Sequence, residues 1–361
     1  MKDIDWLSNL KLRASWGKLG NNSIGNYEWQ ALYGSGYNYA FNSNKSNGLA
    51  MTTFSNYALE WEETAITNIG LDFGVLNNRL NGTIEVYDKK TDGILYRPTL
   101  PESLNQFTSP LQNLAGVNNK GLEITLGWND RVGDISYSVS GNFTYNKNKV
   151  TKYKGELVRE WRTDANGNKV WYQNVGTVAN GSSNLIVEGH EMNEYYMMNP
   201  YKGNGSYFNS DGTVNINGGP KDGMIRTEAD MKWLQAMFDA GYKFYPNQAI
   251  GKDKIWYGDM IYADYNGDGI YGNDDDRDFQ GVSWRPKYYF GLQASMTWKG
   301  FDLSMNWAGA AGFKIDYYKQ TQNSVSVTHG YGLGYDIAYD HYFFCLLYTS
   351  PSPRDYAASR M

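Results

Sequence analysis

Cysteine is almost missing from this chain of 361 residues, with Cys345 standing alone. That excludes an internal disulfide framework and any CxxC metal or redox motif. The three histidines, His190, His329 and His341, show no metal-ligand spacing, and GxSxG, P-loop and HExxH patterns do not occur. Basic excess is lacking too: a net charge of -5 and a pI near 5.4 offer no patch for phosphate backbones, which argues against a nucleic-acid partner. No stretch reaches the ~18 to 20 apolar residues of a membrane helix, and the opening "MKDIDWLSNL" lacks the apolar centre of a signal peptide. A mean hydropathy of -0.61 points the same way, although membrane β-strands are short, alternate and escape such averages.

What is abundant is strand and turn material: 40 Gly, 31 Tyr and 12 Trp against only 9 Pro. In "DISYSVSGNFTYN" one face carries Ile135, Tyr137, Val139, Phe143 and Tyr145 and the other Ser136, Ser138, Ser140, Asn142 and Thr144. "LKLRASW", "GLEITLGW", "YFGLQASMTW" and "FDLSMNW" alternate in the same way. A soluble antiparallel sandwich would also alternate. However, the polar faces hold Ser, Thr, Asn, Gln and Gly rather than Lys and Glu, and Trp128 and Trp298 stand at strand ends where a bilayer places an aromatic girdle.

Connection lengths sort the two readings. Tight turns are expected at Asn77-Asn78, at Asp130 to Gly133 and at Lys299-Gly300, with long connections between them. Short turns on one side and long loops on the other are the outer-membrane pattern. The expected fold class is therefore all-β, an antiparallel transmembrane β-barrel. Spans are expected near 10–17, 64–76, 79–91, 119–129, 134–147, 286–298, 301–311 and 332–344. Residues 148–285 then form one large extracellular insertion or hide an even number of further spans, and insertions of such length are usually functional.

Two features mark that insertion. "RTEADMKWLQAMFDAG" predicts a helix with Thr227 as N-cap, Asp230 three residues on, an apolar stripe of Met231, Leu234 and Phe238, and Gly241 as its stop. "DYNGDGIYGNDDD" places oxygen ligands at calcium-loop positions one, three and five (Asp264, Asn266, Asp268), Gly269 at six and the Ile270 carbonyl at seven, with Asp275 or Asp276 to close the set. A structural Ca2+ acting as a brace is the expectation; a Gly/Asn/Asp turn without metal is the competing one.

Catalytic signals are thin, and no enzyme is expected. Glu188, Glu191 and Glu194 in "EGHEMNE" and Glu60, Glu62 and Glu63 in "EWEE" are read as solvated loop carboxylates rather than a glycosidase pair. Tyr33, Tyr37, Tyr39, Trp161, Trp171, Tyr195, Tyr196 and Trp256 are loop aromatics able to stack on sugar or peptide, most of them expected to serve loop packing.

Several segments together resemble the SusC/RagA-like TonB-linked outer-membrane transporters. They are "LKLRASWGKLGNNSIGNY", "ALEWEETAITNIGLDFGVLNNRLNGTIEVYDKKTDGIL", "NLAGVNNKGLEITL" and "YGDMIYADYNGDGIYGNDDDRDFQG" followed by "WRPKYYFGL", in the family's order over most of residues 10 to 310. The resemblance implies a 22-stranded barrel closed by a plug and energised by TonB. It also implies a SusD-like surface lipoprotein as partner, import of an oligosaccharide or peptide, and a place in the outer membrane of a Gram-negative bacterium. Residues 1–345 would be a partial barrel domain lacking plug, TonB box and last strands. The family's acidic stretch maps onto Asp264, Asn266, Asp268 and Gly269, with one residue more than usual before Arg277. The tail, residues 346–361, resembles translated adapter sequence; a genuine tail is the other reading. The rival to the transporter is a soluble or surface-anchored, calcium-braced β-protein that binds carbohydrate.

Overall fold

The computed structural model describes residues 6–315 except 99, 101, 105, 106, 182, 247, 252 and 253. The span expected at 332–344, the tail and Cys345 lie outside the described residues. Seven strands form one sheet: β1 (Leu7–Asn21), β2 (Glu62–Val75), β3 (Leu80–Tyr96), β4 (Gln112–Val132), β5 (Ile135–Lys152), β6 (Tyr288–Trp298) and β7 (Phe301–Ala311). Each pairs antiparallel with the next in chain order, so the sheet is a meander even where 135 residues separate β5 from β6. Among the described residues it stays open, with β1 and β7 as its edges.

Turn chemistry sets the register. Lys299 and Gly300 take φ of 46° and 88°, the paired positive values of a two-residue hairpin whose twist matches its strands. Asn77 and Asn78 adopt φ of 59° and 62°, where asparagine is among the few tolerant side chains. Between β4 and β5 the turn is tighter than the sequence suggests: Arg131 and Val132 still pair with Ser136 and Ile135, which leaves Gly133 and Asp134 as the turn.

Period-two alternation then gives the sheet two unlike faces. One face carries rows such as Leu126, Leu292 and Trp307, joined through Gly141. Its side chains stay open, Leu292 at 44%, Leu303 at 50% and Ile69 at 50% exposure. A contiguous apolar face of that extent exceeds what soluble monomers leave in water. A bilayer accounts for it, and this removes the reason for the soluble reading.

The chain divides into two compact units. The first holds the seven-stranded sheet with residues 174–194 and 281–287, and its small buried core is Ala115, Val150 and Tyr153 under Ile94, Tyr96, Ile186 and Met192. A hairpin arm between β1 and β2 belongs to it: Leu32–Ser35 pairs with Leu49–Thr53 and Tyr39–Phe41 with Asn44–Ser46.

The second unit comprises residues 160–173 and 195–280, together with Lys314 and Ile315. It has its own core of Trp233, Ile225, Leu234, Met237 and Phe244. The helix Glu228–Asp239 begins with the expected capping box: Thr227 Oγ1 accepts from Asp230 N at 3.1 Å, and the Asp230 carboxylate accepts from Thr227 N at 2.7 Å. Its buried stripe is Asp230, Trp233, Leu234 and Met237, with Met231 and Phe238 only flanking it. The stripe is displaced because Asp230, polar in sequence, is drawn inward to accept from Arg226 N and from the Tyr207 hydroxyl as well.

Candidate functional site

The polar face of the sheet is the first candidate surface. Asp72, Thr83, Thr125 and Asn142 share a row across β2 to β5. Arg13 reaches over this face, donating from Nε to Asp72 Oδ2 at 2.8 Å and from Nη2 to Glu85 Oε2 at 3.1 Å. Gly70 makes that crossing possible, since a Cβ there would lie 2.9 Å from Arg13 Nη2. The guanidinium fork suits two carboxylates at once. Opposite apolarity on the other face, this inner surface is one that water and polar solute can wet.

A second cluster overturns the reading of "EGHEMNE" as solvated. Glu194 is 5% exposed. It accepts from His190 Nδ1 at 3.1 Å, Glu191 N at 3.2 Å and Gly281 N at 2.6 Å. Glu191 accepts from Ser283 Oγ at 2.9 Å and pairs with Lys287 Nζ at 2.8 Å, while Glu188 accepts from Tyr153 N. Val150 N donates to the His190 carbonyl and Gly189 N to that of Val150, so the strap 188–194 is tied to the end of β5 and to the segment entering β6. Burial works against the Glu194 charge, but the His190 contact and the backbone donors outweigh it and hold its pKa below the usual glutamate range. Sequence reasoning missed this because burial, not composition, turns three loop glutamates into a clamp. Of the "EWEE" carboxylates only Glu62 is partly enclosed, accepting from Asn21 Nδ2 and Leu95 N, while Glu60 and Glu63 stay exposed and Glu63 pairs with Lys18 at the surface.

The aspartate loop lies in the second unit. Asp264 accepts from Gly267, Asp268 and Gly269 N, Asn266 from Asp268 N, and Asp268 from Ile270 N. Gly267 and Gly269 supply φ of 77° and 80°. So the first half has the expected conformation. The closing half is held by its own donors: Asp275 Oδ1 accepts from Gln173 Nε2, and Asp276, 1% exposed, accepts from Tyr265, Gly272 and Asn273 N, while Asn273 Nδ2 donates to Asp268 Oδ2 at 3.4 Å. Burial raises the pKa of both Asp275 and Asp276, a rise the Gln173 contact opposes at Asp275 and the three backbone donors at Asp276. Among the described residues no group of three or more His, Cys, Asp or Glu could hold a metal ion. In this structure the side-chain oxygens of the expected calcium set, Asp264, Asn266, Asp268 and Asp275 or Asp276 beside the Ile270 carbonyl, are hydrogen-bonded to amide donors. Trp161 Nε1 donates to the Asn266 carbonyl at 2.9 Å and adds a further tie within the unit.

Burial also sorts the loop aromatics. Tyr195 and Tyr196 are enclosed at 3% and 4% exposure. Trp171 packs on Trp161, and Trp256 on Tyr257. Tyr33, Tyr37 and Tyr39 stay open on the hairpin arm.

A wall with one lipid-type face and one wettable face, tight turns at one rim and long connections at the other, defines an outer-membrane β-barrel protein. Residues 4–175 match the family model described as TonB dependent receptor-like, beta-barrel. The chain is 32% identical to TonB-dependent receptor P39 of Formosa agariphila over 58% of its own length and 21% of the relative's. It is 34% identical to TonB-dependent receptor SusC of Bacteroides thetaiotaomicron over 50% of its own length and 19% of that protein's. In fold it is similar to the solved RagAB peptide transporter, with a TM-score of 0.57 and 21% identity over 87% of this chain and 27% of that one. Residues 4–175 thus carry the match to the TonB-dependent receptor barrel, the chain is similar to SusC/RagA-like receptors, and it spans about a fifth of the length of the curated relatives it matches.

Proposed function

We propose that the chain is part of the barrel wall of a TonB-energised outer-membrane importer that takes up oligomeric nutrients, oligosaccharide or peptide, together with a SusD-like surface lipoprotein. The observation that carries this reading is the two-faced meander: an apolar face continuous over six strands, backed by a face of Ser, Thr, Asn and Gln with the Arg13–Asp72–Glu85 cluster. Such a wall separates lipid from an aqueous path and performs no bond chemistry. The relatives named as TonB-dependent receptors support TonB-linked import as the activity, and the lipoprotein partner rests on the resemblance to the SusC/RagA-like family. The test is deletion of the complete gene followed by growth on a panel of glycans and peptides as sole nutrient. Selective loss of growth on one class identifies the substrate, and unchanged growth on every member of both classes overturns the proposal.

A further inference from the structure

The outward face ends abruptly at the rim from which the long connections leave. Register carries one apolar row, Ile69, Val86, Leu122, Tyr145 and Tyr288, across five strands. Two residues further along each strand the same face reads Trp16, Thr67, Asp88, Lys120 and Lys147. The next row reads Lys18, Ala65, Lys90, Asn118 and Lys149. Five lysines thus sit within two rows of the apolar band, and alternation directs them to the lipid side rather than to the interior.

Three of the five are neutralised locally. Lys18 pairs with Glu63 at 2.6 Å, Lys90 with Asp92 at 3.3 Å and Lys120 with Asp88 at 3.0 Å. The second Asp88 oxygen already accepts from Asn118 Nδ2 at 2.8 Å, so it is not free for another cation. Lys147 and Lys149 are exposed and have no hydrogen bond or ion pair among the described residues. Lys147 stands directly opposite Lys120 in the ladder, and the single Asp88 carboxylate that meets Lys120 balances only one of the two charges. Tyr145 and Tyr288, stacked at 5.2 Å just below, mark the interfacial level on the same strands.

We propose that Lys147 and Lys149, with Lys120 beside them, bind the phosphate of a lipid headgroup in the outer leaflet. The partner is a lipid because the lysines continue the lipid-facing surface without a break, and it is anionic because two cations there are uncompensated. This rests on the membrane-barrel reading and on nothing about substrate or TonB.

The full-length protein is placed in nanodiscs containing either bis-phosphorylated lipid A or the same lipid with its phosphates removed, and retained lipid is counted by native mass spectrometry. The wild-type protein should retain the phosphorylated lipid preferentially; equal retention of both overturns the proposal without need of any variant. The double substitution Lys147→Gln, Lys149→Gln should lower that retention by about thirtyfold, at roughly fivefold per lysine near a charged surface, while leaving the dephosphorylated lipid unchanged. Lys89→Gln, on the inward face one residue from Lys90, should retain lipid as the wild type does; an equal loss there overturns the assignment. Inorganic phosphate at millimolar concentration should not displace the lipid, and full displacement would make this a free-anion site instead. Heat-modifiable migration reports barrel insertion separately, so failure of the barrel reading is distinguishable from failure of the lipid site.

Discussion

Replacing Asp276 with alanine removes the one carboxylate that gathers three backbone donors at the end of the aspartate loop. Its Oδ2 accepts from Gly272 N at 2.7 Å and Asn273 N at 3.1 Å, and its Oδ1 from Tyr265 N at 2.6 Å. The Gly272 contact is fully buried, so its N–H would be stranded at a cost of about 1 to 3 kcal/mol. The other two are partly open and can turn to water, at about 1 kcal/mol each. Relief of the buried charge, the same burial that raises the Asp276 pKa, offsets part of this. A net loss of about 2 to 4 kcal/mol remains, against ~5 to 15 kcal/mol for a whole domain. It corresponds to a rise of roughly thirtyfold to a thousandfold in the opened population. The assay is limited proteolysis of the full-length protein, with cleavage mapped inside residues 200–280, in millimolar calcium and again in chelator. Asp276→Ala should be cut far faster in both, and the wild type should resist equally in both. Two results would refute the reasoning: a variant as resistant as the wild type, or a wild type that chelator alone makes as sensitive as the variant, since then a metal and not the amide network holds the loop.

Other outcomes follow from the same geometry. Leu292→Arg, in the middle of the apolar band, should destabilise the inserted barrel by about 2 to 4 kcal/mol in a folding titration. Leu303→Arg, one row from the girdle of Trp298 and Phe301, should cost less, and Gln293→Arg on the inner face should be mild. Cysteines at Asn78 and Gly300 should resist a membrane-impermeant label on intact cells while one at Ser43 reacts; reversed labelling overturns the side assignment. Glu194 has a lowered pKa in the folded chain, so its stabilising contribution is present above the ordinary glutamate value of about 4.3 and is lost as pH falls through the folded value. Proteolysis within 188–194 should therefore rise on acidification, and Glu194→Gln should flatten that profile.

Strand identity and the lipid-facing set were legible because a strand has period two and a short turn has few solutions: "DISYSVSGNFTYN" could only sort its side chains one way, and Lys299-Gly300 could only make a tight hairpin. The helix cap at Thr227 and Asp230 was legible for the same local reason. What required the tertiary structure was every property set by residues far apart in the chain. The pairing of β5 with β6 across 135 residues brings Ser283 and Lys287 to Glu191 and so converts solvent-type glutamates into a clamp. Asp275 meets Gln173, 102 residues away, and Asp276 is enclosed by amides, so the partners of the second half of a calcium-like motif come from contacts that the motif itself does not announce. Local periodicity is carried by covalent neighbours, whereas burial and charge pairing belong to contacts that exist only once the chain has closed on itself.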